Sequence, residues 1–227
     1  MTVPSDTELL RELRAGPVPA AVARRGKLVE LREQALAQVA QQNLLAPRAC
    51  TRVVALERTP GADGWLCLDG ERLQAPWLLP ASGRLTALAC AVATIGDALE
   101  RAVAALFAAR RAALAVALDG VGNELLHALS RRVQDRLWAQ VRRQGLSMAG
   151  ELRAGDPGLA LEAQAAVLRL AGAQAIGVQL TGTMMMNPTK STSIVQGVGE
   201  QLPPPAWSRC DHCRSRARCT LAGAAQG

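Results

Sequence analysis

Val121, Leu125, Leu129, Val133, Leu137 and Val141 recur every four residues. On an α-helix a row at that spacing stays on one side and forms a long apolar stripe. A stripe of that length has to be buried, so the chain must build a layer for it to lie against. Asp119-Gly120-Val121-Gly122-Asn123 reads as the opening of this helix, Arg143 as its end, and Gly145 as its C-cap. The partner expected for the stripe is a sheet.

The rest of the chain supplies both kinds of element. Ser5, followed by Glu8, has the spacing of a capping box and predicts a short helix to about Arg14, broken by Pro17 and Pro19. Leu28, Leu31, Ala35, Leu36 and Val39 predict a second helix over about 21–45, ended by Pro47. The period then changes to two. Residues 51–57 and 65–68 read as strands around the turn cluster 59–64, Asp69-Gly70 is another turn, and 85–92 is an apolar run of strand length. A helix is expected from Ile95-Gly96 to about Arg111. Further along, 161–170 reads as a helix, 176–180 and 191–195 as strands, and Gly197 and Gly199 as a turn. Helices and short strands alternate irregularly, which predicts an α+β fold. The expected organisation is an N-terminal helical segment (1–46), an α+β domain (47–202), and a tail (203–227) in which Pro203-Pro204-Pro205 is a stiff spacer before a cysteine-rich end.

Composition removes several functions. One Phe, four Trp and no Tyr exclude a tyrosyl mechanism and argue against a base-stacking platform for single-stranded nucleic acid. Lys and Arg number 26 against 19 acids, for a net charge of +7. Only Lys27 and Lys190 are lysines, many arginines neighbour acids on helices, and no five-residue basic run occurs. The basic excess therefore reads as solvated helix faces, and no nucleic-acid partner is expected. The N-terminus lacks the apolar core of a secretory signal, and the uncharged stretch 171–189 is rich in Gly, Gln and Thr. A cytoplasmic protein with no membrane segment is expected.

Cys210, Cys213 and Cys219 have the spacing C-x2-C-x5-C. Two thiolates three residues apart reach one metal from a single turn, and both iron–sulfur clusters and zinc ask for four ligands. The fourth could come from Cys50, Cys67, Cys90 or outside the chain; His212 sits awkwardly between two of the ligands. Arg209, Arg214, Arg216 and Arg218 would favour the thiolates. The tail is expected to hold an iron–sulfur cluster, with zinc as the alternative. Cys50, Cys67 and Cys90 lie in or beside apolar strands and read as packing.

The most unusual stretch runs from Thr181 to Ser193 and contains Met184-Met185-Met186, Pro188 and Lys190. Clustered Met side chains make a soft surface that moulds to an apolar ligand, and Lys190 with the neighbouring hydroxyls offers a cation and donors. Buried packing beside a strand edge explains the same residues. Ile176-Gly177-Val178-Gln179-Leu180-Thr181, followed by Met186-x-Pro188-x-Lys190-Ser191-x-Ser193 and a Gly, resembles the activation (S-adenosylmethionine-binding) domain of cobalamin-dependent methionine synthase, most closely its stand-alone relatives. Three more blocks agree in order and spacing: Ala91-Val92-Ala93-Thr94-Ile95-Gly96-Asp97-Ala98-Leu99-Glu100, Leu118-Asp119-Gly120-Val121-Gly122-Asn123-Glu124, and Leu161-Glu162-Ala163-Gln164. A C-terminal cysteine tail also recurs in those relatives, and the resemblance spans roughly Val53 to Gly199.

The resemblance implies a curved antiparallel sheet packed with several helices. It implies a role in corrinoid reactivation, in which S-adenosylmethionine is brought to an oxidised cobalamin on a partner and reductive methylation restores it, with the electron coming from a redox donor. By resemblance Met186, Pro188, Lys190, Ser191 and Ser193 line the cofactor-facing wall, and Arg153 and Gly155 belong to the cofactor loop. The family's loop has an Arg, then Pro-Gly-Tyr, then a Pro before the next helix. Here Gly155 takes the motif Gly, Asp156 the Tyr and Ala160 the Pro, while Arg153 serves as the Arg only with a local shift. The alternative is an iron–sulfur redox module or zinc-stabilised interaction module that keeps the fold without the ligand. No self-contained catalytic set is found: His127 falls on a polar helix face, and Asp119-Gly-Val-Gly lacks the third Gly of a dinucleotide fingerprint.

Overall fold

The long helix meets a sheet, as its stripe requires. In a computed structural model, which describes residues 3–204, three helices come first: α1 (Asp6–Ala15), α2 (Ala20–Ala23) and α3 (Gly26–Gln41). Strand β1 (Arg48–Ala55), the hairpin β2 (Trp65–Leu68) and β3 (Glu71–Gln74), and β4 (Arg84–Thr94) follow, then α4 (Ala98–Ala108) and α5 (Ala112–Arg143). The chain continues through β5 (Ser147–Leu152), α6 (Gln164–Ala171), the short strands β6 (Gln179–Leu180) and β7 (Met186–Asn187), and β8 (Ser191–Glu200). Cys210, Cys213 and Cys219 lie outside the described residues. So does the spacer beyond Pro204.

The main sheet is antiparallel throughout, in the order β1-β4-β8-β5. This is the α+β architecture expected. Side chains alternate across β4. Ala87, Ala89, Ala91 and Ala93 face one side and join the core of Leu118, Val121, Leu125, Leu129, Val133, Leu137 and Val141 of α5, with Leu36 and Val39 of α3. Leu88, Cys90 and Val92 face the other side and pack with Leu66, Leu68 and Leu73 of the hairpin and with Val167 and Leu170 of α6. The small alanines let α5 lie close to the sheet. Among the described residues α5 is long and apolar enough to cross a membrane, but here its stripe is spent on this core.

Several elements differ from expectation. The capping box closes as predicted, with Glu8 N donating to Ser5 Oγ and Ser5 N to Glu8 Oε2. The helix expected over 21–45 is divided, because Arg25 is extended and Gly26 restarts the helix. The helix expected to begin at Asp119 begins at Ala112, so Gly120 and Gly122 lie inside it. Gly122 is there for packing: a Cβ would stand 2.7 Å from Leu99 Cδ2. Gly197 and Gly199 are not a turn but part of β8, where a Cβ on Gly199 would fall 1.9 Å from Arg84 O. The segment 176–180 is strand only at its end, Ala173–Ile176 being a 3-10 turn. Strand β5 was not anticipated. Its register shifts between Ala149 and Leu152, which hides the alternation.

Two consequences are measurable. Leu129 is fully buried in the α5 layer, so Leu129→Ala should cost about 2–5 kcal/mol in urea unfolding, without a change in slope. Burial pushes the Cys90 thiol up to about 12 and the Cys50 thiol up to about 11. In the unfolded chain both ionise near the ordinary thiol value of 9.0. The stability tied to keeping them protonated is therefore complete below pH 9.0 and is lost as pH rises toward about 11 and 12. A urea midpoint that falls over this range in wild type, and falls less in Cys90→Ala, is the expected result.

Candidate functional site

Lys190 stands just before β8 and is 8% exposed. Its Nζ donates to Asn123 Oδ1 at 2.6 Å and lies 2.7 Å from Asp119 Oδ1, both on α5. Its backbone N donates to Glu100 Oε1 of α4 at 2.7 Å, and the Thr189 hydroxyl donates to the same oxygen. Its carbonyl accepts from Ile95 N and from the Thr94 hydroxyl. One residue thus ties α4, α5 and the ends of β4 and β8. Gly122 makes the room, since a Cβ there would be 3.4 Å from Lys190 Cε as well as against Leu99. Close by, Arg32 of α3 is 4% exposed and holds Glu124 Oε2 at 2.8 Å. Sequence reasoning missed that pair. An Arg on the same helical face as Ala35, Leu36 and Val39 was its signal.

The other residues of the wall follow from this anchor. Pro188 is buried behind a cis Asn187–Pro188 bond, and its carbonyl accepts from the Ser191 hydroxyl at 2.7 Å. Ser193 is buried on β8, paired with Val92. Met186 begins β7 and packs partly against the α6-side core. The turn between β6 and β7 carries Met184 in the left-handed region (φ 62°) and Met185 at 57% exposure. Gln164 reaches across from α6, its Nε2 donating to Met184 O at 2.8 Å.

The loop after β5 is closed on itself. Arg153 N donates to Asp156 Oδ2 at 2.9 Å, Asp156 N returns a bond to Arg153 O at 2.9 Å, and Gly155 N donates to Leu159 O. The Arg153 guanidinium lies 3.2 Å from Glu151 Oε1. Gly155 has φ +91°, and a Cβ there would meet only Leu161 Cδ1, at 3.7 Å. Gly158 is pressed against the Trp77 ring, where a Cβ would stand 2.6 Å from Cγ. The loop and the Met hairpin are thus held beside one another by 161–164. The structure brings Lys190, Pro188, Ser191 and Ser193 together at one end of β8, and Arg153, Gly155 and Met184–Met186 around the start of α6. Among the described residues no group of three or more His, Cys, Asp or Glu could hold a metal.

No protein-family model and no curated protein matches this sequence. A solved structure does match. The crystal structure of the MetH reactivation domain bound to AdoHcy aligns over 96% of this chain and 84% of that one, with a TM-score of 0.60 and 14% sequence identity. The chain has the fold of the MetH reactivation domain. The blocks whose sequence resembled that family are the blocks that touch: Glu100, Asp119, Asn123 and Lys190 form one junction, and Gln164 holds the Met hairpin.

Lys190→Met removes the cation that Asp119 and Asn123 share. Because Asp119 is about half exposed the loss is moderate, about 1–3 kcal/mol by urea unfolding. Gly122→Ala should destabilise through the same junction, with the two effects less than additive in the double variant.

Proposed function

We propose that this protein is a reactivation or handling factor for a corrinoid-carrying partner, and that it supports reductive methylation of an oxidised cobalamin. The observation that carries the reading is the fold shared over 96% of the chain with a domain solved with AdoHcy bound. The contact among the four resemblance blocks supports it.

The residues around the start of α6 fit a sulfonium nucleoside. Gly155 leaves its backbone open to close approach, Arg153 offers a guanidinium for a carboxylate, and Leu161 and Met185 expose apolar surface. When bound, the ligand supplies an electrophilic methyl group, and the corrinoid comes with the partner. The chain's own part is positional. Arg153 orients the carboxylate end, the Met hairpin shields the apolar part from water, and Gln164 keeps hairpin and loop in register. The electron comes from a separate donor. Asp156 occupies the place of the family's Tyr and uses its carboxylate to cap Arg153 N, so the loop presents fewer donors to a ligand. Glu151 also competes for Arg153.

Calorimetry with S-adenosylmethionine tests the ligand. Binding in the micromolar range is expected, lost in Arg153→Ala and tightened by about threefold or more in Glu151→Gln, where the competing charge is gone. Absence of a complex with corrinoid proteins of the same cell, in every cobalt oxidation state, would reject the reading.

The closed loop favours one second reading. The chain could instead serve as an interaction or redox module whose metal sits on Cys210, Cys213 and Cys219. Anaerobic purification with iron and sulfide assays decides between an iron–sulfur tail and a colourless zinc one.

A further inference from the structure

Strand β1 is one edge of the main sheet. Leu56 N donates to Thr86 O, and the register continues without a shift from Ala55↔Ala87 to Arg48↔Thr94. In an antiparallel ladder alternate residues carry the bonds to the partner. The even-numbered residues of β1 therefore bond to β4, and the odd-numbered ones turn their main-chain groups outward. Ala49 and Val53 have no outer main-chain partner among the described residues. The opposite edge, β5, is short and shifted in register. So β1 is the regular edge, and edges of that kind template added strands.

A groove of about 770 Å³ lies beside the first half of this strand. It is lined by Ala49, Cys50 and Thr51 of β1, by Ala175 and Ile176, and by Arg136, Gln140 and Arg143 of α5. No acidic residue lines it. Arg136 Nη1 is shielded from solvent and has no acceptor among the described residues. Arg143 forms no ion pair there with a described residue, unlike Arg131 and Arg132, which meet Glu12. Two cations along a strand edge, one with a donor lacking an acceptor, call for an occupant that brings carboxylates.

We infer that the outer edge of β1 docks an extended acidic segment of a partner protein, which adds beside β1 as a further strand with its carboxylates on Arg136 and Arg143. Main-chain bonds to Ala49 and Val53 give the affinity, and the arginines select an acidic sequence. Nucleic acid is less well suited, because a phosphate backbone makes no use of an open strand edge. The inference stands apart from the ligand at Arg153, and its test involves neither S-adenosylmethionine nor cobalamin.

The probe is a fluorescein-labelled, amidated peptide of alternating Glu and Val, spanning the length of β1, titrated by anisotropy against the full chain. Saturable binding is expected, absent for the peptide with Lys in place of Glu. Arg136→Gln with Arg143→Gln should weaken it by about tenfold or more. N-methylation of alternate peptide residues should abolish binding in one of the two phases and spare the other, a pattern that general charge attraction does not produce. Far-UV circular dichroism confirms that the double variant is folded. Failure of the Glu–Val peptide to bind overturns the inference, as does equal tolerance of both N-methylated phases. Equally tight binding of single-stranded oligothymidylate, dependent on the same arginines, overturns it in favour of a nucleic-acid site.

Discussion

Across one face of the sheet, four alanines of β4 meet the Leu and Val row of α5. Everything else is arranged around that contact. The alanines contribute little volume themselves, and so let the helix lie close to the sheet. α3 and α4 then cover the flanks of α5, and the opposite face is left for α6 and the β2–β3 hairpin. Because both faces are covered, the interior strands β4 and β8 are buried almost throughout, and the open positions of the sheet are confined to its edges.

The Lys190 junction is the polar counterpart of that contact. A cation 8% exposed is tolerable only where its charge and its donors are satisfied, and Asp119 and Asn123 satisfy them from the same helix that supplies the apolar stripe. Glu100 binds the backbone there and so fixes how the chain enters β8. The start of β8 is consequently held in place by α4, α5 and β4 together. This is the rigid support from which the Met hairpin extends, and it explains why residues that resemble a cofactor wall also do structural work.

Much of this was legible beforehand, for physical reasons that can be named. The capping box, the Asp69-Gly70 hairpin turn and the β4 strand rest on local rules, and each formed where expected. The elements that were misread depend on distant partners. Gly122 looked like a helix start, yet it is a helix interior where Leu99 and Lys190 need the space of a missing Cβ. Gly199 looked like a turn, yet the close approach of Arg84 requires it within a strand. Strand β5 lacks visible alternation because of its register shift. At the candidate site, Arg153 and Gly155 were visible as types, but the closure of their loop by Asp156 was not, since a carboxylate three residues on has many possible partners.

Before it folds, the chain already requires that a long apolar-striped helix pack on a sheet, that the fold be α+β, and that no tyrosyl group of its own take part in its chemistry. These follow from side-chain period and composition, which belong to the chain before it folds. Which residues meet is settled by packing in three dimensions. It holds Lys190 against α5, turns Asp156 back onto its own loop, and leaves Ala49 and Val53 of β1 without an outer main-chain partner among the described residues. The physical reason is that charges and main-chain groups acquire their role from neighbours remote in sequence, and no local pattern records who those neighbours are.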